Sequence, residues 1–166
     1  MALLKQQQGA GLLEVLVALL LLSVSVLGFT VLQLRAFEAT NESVYRVQAI
    51  NLARDLAERI RSNRAGVATY KTQIGTAGNQ LSATKNCYKE LCTTTELADF
   101  DVSEIRKRAD SVGMTFNMLT CQGSTSRNCV YVAWNETSAT NGSDTTACTS
   151  GNVYRKDSQC IILETY

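Results

Sequence analysis

The sequence predicts an α+β protein in which one long N-terminal helix carries a small antiparallel β-sheet stapled by disulfides. Three observations predict it. Residues 10–34 are almost wholly apolar, with Glu14 as the only charge. No Pro occurs anywhere, and no Gly interrupts the chain between Arg35 and Arg64. Six cysteines sit in the C-terminal half, among short segments with strand-like composition.

The first element is the apolar stretch. From Val15 to Leu34 every residue is uncharged, and as a helix those residues span about 30 Å, one bilayer core. Residues 1–9 before it are short and polar-ended, with Lys5 as the one basic residue and Gly9 at the close. The helix is expected to continue past the membrane edge. Ala49, Leu52, Ala53, Leu56 and Ile60 recur at spacings of three and four, so they share one face. Arg54 with Glu58, and Asp55 with Arg59, stand one turn apart as opposite charges. Asn63 and Gly66 supply the stop. The expectation is one helix over about 11–64, roughly 80 Å long, apolar all round in its first half and amphipathic in its second.

Four parts follow from this: residues 1–9, an apolar helical segment 10–34, an amphipathic continuation 35–66, and a head over 67–166. Within the head, the Gly- and Thr-rich stretch from 67 to 86 is expected to be a surface loop. Thr93 and Glu96 have capping-box spacing ahead of Leu97, Phe100 and Ile105, which predicts a second helix near 94–109. MTFNMLTC (114–121), CVYVAW (129–134) and QCIILETY (159–166) read as strands, with Phe116, Tyr131 and Trp134 as core residues. The intervening 135–158 is loop-like, with room for a short strand around Cys148.

Composition narrows the function. Net charge is +1 over 166 residues, so no nucleic-acid footprint is present. His is absent, which removes the commonest acid–base and metal-ligating side chain and leaves Ser and Thr without a partner for nucleophilic catalysis. No enzymatic activity and no cofactor are expected. Cys87, Cys92, Cys121, Cys129, Cys148 and Cys160 are even in number, lack the CxxC pairs of structural zinc sites, and read as disulfides formed outside the cytosol. Six cysteines allow about 15 connectivities, and spacing does not choose among them. Sequential pairing, Cys87–Cys92, Cys121–Cys129 and Cys148–Cys160, is the expectation adopted.

Glu14 is the residue that most needs a reason. A secretory signal peptide has a shorter apolar core of about 7–15 residues and a small-residue cut after it. Here the run is longer, and Ser23-Val24-Ser25 would place the cut in its middle. A plain membrane anchor fits the length and leaves Glu14 unexplained. A carboxylate within a membrane segment costs at least ~2.5 kcal/mol and marks a functional site with a partner.

Gly9-Ala10-Gly11-Leu12-Leu13-Glu14-Val15-Leu16-Val17-Ala18 resembles the prepilin processing site of type IV pilins. In that family a short leader ends in Gly and the fifth residue of the mature chain is Glu, which here is Glu14 after a cut between Gly9 and Ala10. Lys5 in the leader is consistent with the positive-inside rule. Where the family favours Phe or Met and then Ser or Thr, this chain has Ala10 and Gly11. The family's N-methylation would fall on Ala10. LLEVLVALLLLSVSVLGF and QAINLARDLAERIRSNRAG are similar to the PilV type of minor pilin, as are the close pair in CYKELC with the helix after it and the last strands CVYVAW and CIILETY.

The resemblance implies a pilin fold and a minor pilin in the complex that starts and tips a type IV pilus. It also implies the partners: other minor pilins, the major pilin, a PilY-type tip adhesin, the prepilin peptidase and the inner-membrane assembly platform. The chain would be stored in the bacterial inner membrane with its head in the periplasm, then moved to the pilus at the cell surface. The pilus would serve adhesion, twitching motility or DNA uptake. In a filament Glu14 would neutralise the amine of Ala10 on a neighbour and so set axial register, because an unpaired buried charge penalises misaligned packing. Two alternatives share the same residues: the I-type minor pseudopilin of type II secretion, and a single-pass periplasmic binding domain that never polymerises. Asp99 with Asp101, or Asp144 with Asp157, could hold calcium as in some pseudopilins, but no EF-hand-like spacing supports it. Arg59, Arg61 and Arg64 read as a solvated helix end favoured by the macrodipole.

Overall fold

The computed structural model describes residues 11–76 and 78–165, so Gly9 and Ala10 lie outside the described residues. These residues separate into two units, one ending at Ser43 and one running from Val44. Helix α1 (Leu12–Ser62) contributes to both, and the remaining elements belong to the second.

In the second unit, α1 buries Ala49, Leu52, Ala53, Leu56, Ala57 and Ile60, the stripe predicted from their three- and four-residue spacing. The helix ends at Ser62, and a 3₁₀ turn over Arg64–Gly66 follows. Asn63 and Gly66 make this corner tight. The Asn63 amide donates to the Thr94 carbonyl at 2.7 Å, and a Cβ on Gly66 would lie 2.9 Å from that same oxygen. Only hydrogen fits there.

The expected loop beyond Gly66 is corrected by the structure. Residues Val67–Gly75 form helix α2, whose Tyr70 and Ile74 are fully buried, with Val67 packed beside them. The spacing of these three apolar residues is helical. It sits in a stretch so rich in Gly and Thr that propensity pointed elsewhere, and burial overrides propensity. Helix α3 (Thr94–Ser111) begins as predicted. The Glu96 carboxylate accepts the Thr93 backbone N–H at 2.8 Å, and the Thr93 hydroxyl accepts the Glu96 N–H at 3.3 Å. The Thr93 backbone N–H, and then the Thr93 hydroxyl, which also donates to the Glu96 carboxylate at 3.0 Å, hold that carboxyl below its usual range.

Six strands follow: β1 (Met114–Thr120), β2 (Asn128–Trp134), β3 (Ser138–Asn141), β4 (Ala147–Ser150), β5 (Val153–Tyr154) and β6 (Cys160–Glu164). The main sheet is antiparallel throughout, in the order β1-β2-β6, with Phe116 opposite Val132 and Val132 opposite Ile161. Strand β2 is central and buried on both faces. Val130, Val132 and Trp134 meet α1, α2 and α3, whereas Cys129, Tyr131 and Ala133 meet the other side. Tyr131 and Trp134 are thus both core residues, but of different cores. The second core lies towards a smaller sheet, β3-β4-β5, in a region expected to be mostly loop. This sheet contains a parallel pair, β3 with β4, and a hairpin from β4 to β5 turning at Gly151, whose φ is 61°.

The disulfides are Cys87–Cys92, Cys121–Cys129 and Cys148–Cys160, the sequential arrangement. Cys121–Cys129 closes the connection from β1 to β2. Cys148–Cys160 ties the smaller sheet to the main one. Four of the six sulfurs belong to the second core, which has few large apolar side chains of its own. Cross-links of this loop length stabilise by about 2–4 kcal/mol each, chiefly by restricting the unfolded chain.

The corner at Gly66 gives a direct check. Gly66→Ala should cost about 1–3 kcal/mol through overpacking against Asn63 and Thr94. Gly75→Ala, where a Cβ meets nothing within 4 Å, should be neutral or slightly stabilising. Chemical denaturation of the two variants beside the parent measures the difference.

Candidate assembly site

The first unit is built almost entirely from the apolar part of α1. Leu and Val at nearly every position, with no Pro, make a helix the only backbone state that satisfies all its own N–H and C=O groups without water. The few polar side chains there obey the same constraint. The Ser23 hydroxyl donates to the Leu20 carbonyl at 2.7 Å, Ser25 to Leu21 at 2.8 Å, and Thr30 to Leu27 at 2.8 Å. Each hydroxyl is satisfied within its own turn. The apolar side chains have no cover. Leu13 is 75% exposed and Leu27 66% exposed, and the most apolar window of the helix has none of its residues buried. By length and composition the segment can cross a membrane.

Glu14 lies in the first turn of α1, where its backbone N–H donates to the Gly11 carbonyl at 2.9 Å. A carboxylate there is favoured by the helix N-terminus. Among the described residues it has no ion-pair partner, and no other charge lies between Gly11 and Leu34. The predicted processing residues Gly9 and Ala10 fall outside the described residues, so the structure carries Glu14 alone of the three.

In the second unit, the last turns of α1 carry a network that the sequence did not reveal. Arg59 was expected in a solvated helix end, and the structure corrects this. Its Nε donates to Asp55 at 2.9 Å and its Nη1 to Asp101 of α3. Asp101 is buried and also accepts the hydroxyl of Tyr70 from α2. Arg108 of α3 reaches back to Asp55. Arg61 donates to the Thr165 carbonyl at 3.1 Å and to Glu58 at 2.8 Å. The local pair predicted between Asp55 and Arg59 exists, while Glu58 turns to Arg61 and not Arg54. Burial opposes the charge on Arg59, but hydrogen bonds to Asp55 and Asp101 outweigh it and raise its pKa. Burial and the Asp101 carboxylate both raise the Tyr70 hydroxyl. The partners are 42 and 31 residues away, so no local spacing announced them.

Three of the four aspartates considered for a cation, Asp99, Asp101 and Asp144, serve as protein acceptors. Asp99 takes the Thr84 backbone N–H at 2.8 Å and the Thr84 hydroxyl at 3.0 Å, and Asp144 takes the Thr146 N–H at 3.2 Å. Among the described residues no cluster of three metal-ligating side chains occurs.

A family model described as Tt1218-like, type IV pilin Tt1218, matches residues 31–103. The match begins near the end of the apolar segment and ends inside α3, so it covers the amphipathic part of α1, α2 and the first half of α3. It supports a type IV pilin, and the α+β architecture with three disulfides is consistent with a pilin fold. No curated protein and no solved structure matches the chain.

The buried network makes two predictions. Asp101→Ala leaves the Arg59 guanidinium without one carboxylate and the Tyr70 hydroxyl without its acceptor, and should cost about 3 kcal/mol. Tyr70 has a folded-state pKa above its unfolded one. Its contribution is therefore complete below the ordinary tyrosine value near 10 and is lost as pH rises above it. Melting temperatures between pH 8 and 11 should fall more steeply for the parent than for Tyr70→Phe.

Proposed function

We propose that the chain is a minor pilin of the PilV type, a non-catalytic subunit of the complex that initiates and tips a type IV pilus. The observation that carries the proposal is Glu14. It is the lone charge in an apolar helical segment whose side chains are exposed among the described residues. Lipid supplies cover in one state, and the helices of neighbouring subunits supply it in the other.

The transfer works as follows. Prepilin peptidase cuts after Gly9 and frees the amine of Ala10, leaving the helix in the inner membrane with its head on the periplasmic side. Extraction into a growing filament exchanges lipid contact for helix contact, with little change in the apolar area buried. Glu14 then meets the Ala10 amine of an adjacent subunit. A buried pair of this kind contributes little net stability, but losing one partner costs about 3–5 kcal/mol, so it selects register over strength. The head, stapled by three disulfides and clamped to α1, presents loops and sheet edges to other minor pilins, to the major pilin and to a PilY-type adhesin. The pilus so primed serves adhesion, twitching or DNA uptake.

Two measurements test this. N-terminal mass spectrometry of the membrane-fraction protein should find a chain beginning Ala10-Gly11-Leu12. An intact Met1, or a cut beyond Glu14, ends the pilin reading. Glu14→Gln keeps shape and length, so cutting and insertion should persist while the variant accumulates in the inner membrane and is depleted from sheared pili. Normal entry of the variant into pili would remove Glu14 from the register role.

A further inference from the structure

A groove of about 600 Å³ lies in the second unit, between one side of α1 and the outer edge of β6. Strand β6 closes the order β1-β2-β6, so one of its edges has no neighbour in the sheet. The ladder fixes which backbone groups face out. Trp134 N–H donates to the Gln159 carbonyl and Thr165 N–H to the Asn128 carbonyl, at opposite ends of the pairing. By alternation, residues 161 and 163 bond β2, and the backbone of Ile162 faces the groove. Among the described residues, that backbone meets the side chain of Tyr154, a residue that is itself 55% exposed.

The groove has two chemistries. Its floor is apolar, from Ile50 of α1 and the half-buried Ile161 and Leu163. Its rim is cationic, from Arg46 and Arg54 two helical turns apart on α1 and from Arg155 across the gap. Among the described residues, no carboxylate lines it. Arg155 gives one Nη2 hydrogen bond to the Gly142 carbonyl at 3.1 Å, and its Nε is buried with no hydrogen-bond partner. Arginine's planar fork suits a carboxylate.

We propose that this groove binds an extended, acidic segment of a partner protein. Its carboxylates would lie on Arg54 and Arg155, and its apolar side chains, two residues apart, on Ile50, Ile161 and Leu163. An open sheet edge beside an apolar floor fits an extended backbone, since alternate side chains of a strand point to opposite faces. The cationic rim and the absence of lining acid select its charge. This site is separate from Glu14, and its occupancy does not depend on entry into a filament.

The test uses the full-length chain in uncharged detergent micelles and three fluorescein-labelled octapeptides, alternating Glu-Val, Ser-Val and Lys-Val, followed by fluorescence anisotropy. The Glu-Val peptide should bind at least tenfold more tightly than the other two. Arg54→Gln should weaken it at least tenfold with the melting temperature unchanged, and Arg155→Gln, which also gives up the hydrogen bond to Gly142, should weaken it at least tenfold. Arg35→Gln, in the first unit, should leave affinity as it was. Equal affinity for all three peptides overturns the proposal, as does binding that ignores Arg54→Gln. Two other outcomes overturn it in favour of another occupant. One is binding to anionic-lipid vesicles with none to the Glu-Val peptide. The other is self-association without peptide that Arg54→Gln abolishes, which would make the occupant a second copy.

Discussion

The apolar surface of α1 governs the rest of the molecule. Between Leu12 and Leu34 lies a helix of Leu, Val and Phe whose side chains are mostly half to three-quarters exposed. Burying one such side chain is worth about 1.5 kcal/mol or more. Left in water, the whole set outweighs the ~5–15 kcal/mol that holds an ordinary domain folded. Lipid or other apolar helices must therefore cover it. A subunit that alternates between those two environments needs no internal rearrangement, because the backbone groups beyond the first turn and the hydroxyls of Ser23, Ser25 and Thr30 are already satisfied within the helix. In the function proposed above, Glu14 distinguishes the two environments, because lipid offers it nothing whereas a neighbouring subunit's amine would offer a partner.

The second unit is organised around the continuation of that same helix. Ala49, Ala53 and Ala57 are small, so the elements packed on α1 approach closely, while Leu56 and Ile60 fill the space between them. Asp55, Arg59, Tyr70, Asp101 and Arg108 then join α1, α2 and α3 by charge-assisted hydrogen bonds. This network sits where the helix ends, at the same corner as Asn63 and Gly66. Away from α1, packing weakens into short strands, and there the Cys121–Cys129 and Cys148–Cys160 bridges take over.

What could be read from the sequence was whatever is encoded locally. The stripe from Ala49 to Ile60 is periodic, the Thr93–Glu96 box lies within one turn, and β1, β2 and β6 each carry their own alternation. Glu14 stood out because its surroundings have no other charge. What escaped was set by distant residues. Helix α2 forms because Tyr70 and Ile74 are buried by α1 and α3, against the composition of the stretch around them. The partners of Arg59 come from α3, so its position at a helix end suggested solvent. Strands β3 and β5 are four and two residues long, too short to show a period, and they pair on either side of β4, which the Cys148–Cys160 bridge ties to the main sheet.

The claim that lipid and subunit helices take turns covering α1 is tested most directly by following where the intact chain resides. Membranes from cells expressing it would be extracted with alkaline carbonate, and surface filaments would be sheared from the same culture. The account predicts a carbonate-resistant membrane pool together with a second pool of the same chain in the sheared filaments. A chain released by carbonate, or one found in the membrane and never in the sheared fraction of piliated cells, would contradict it.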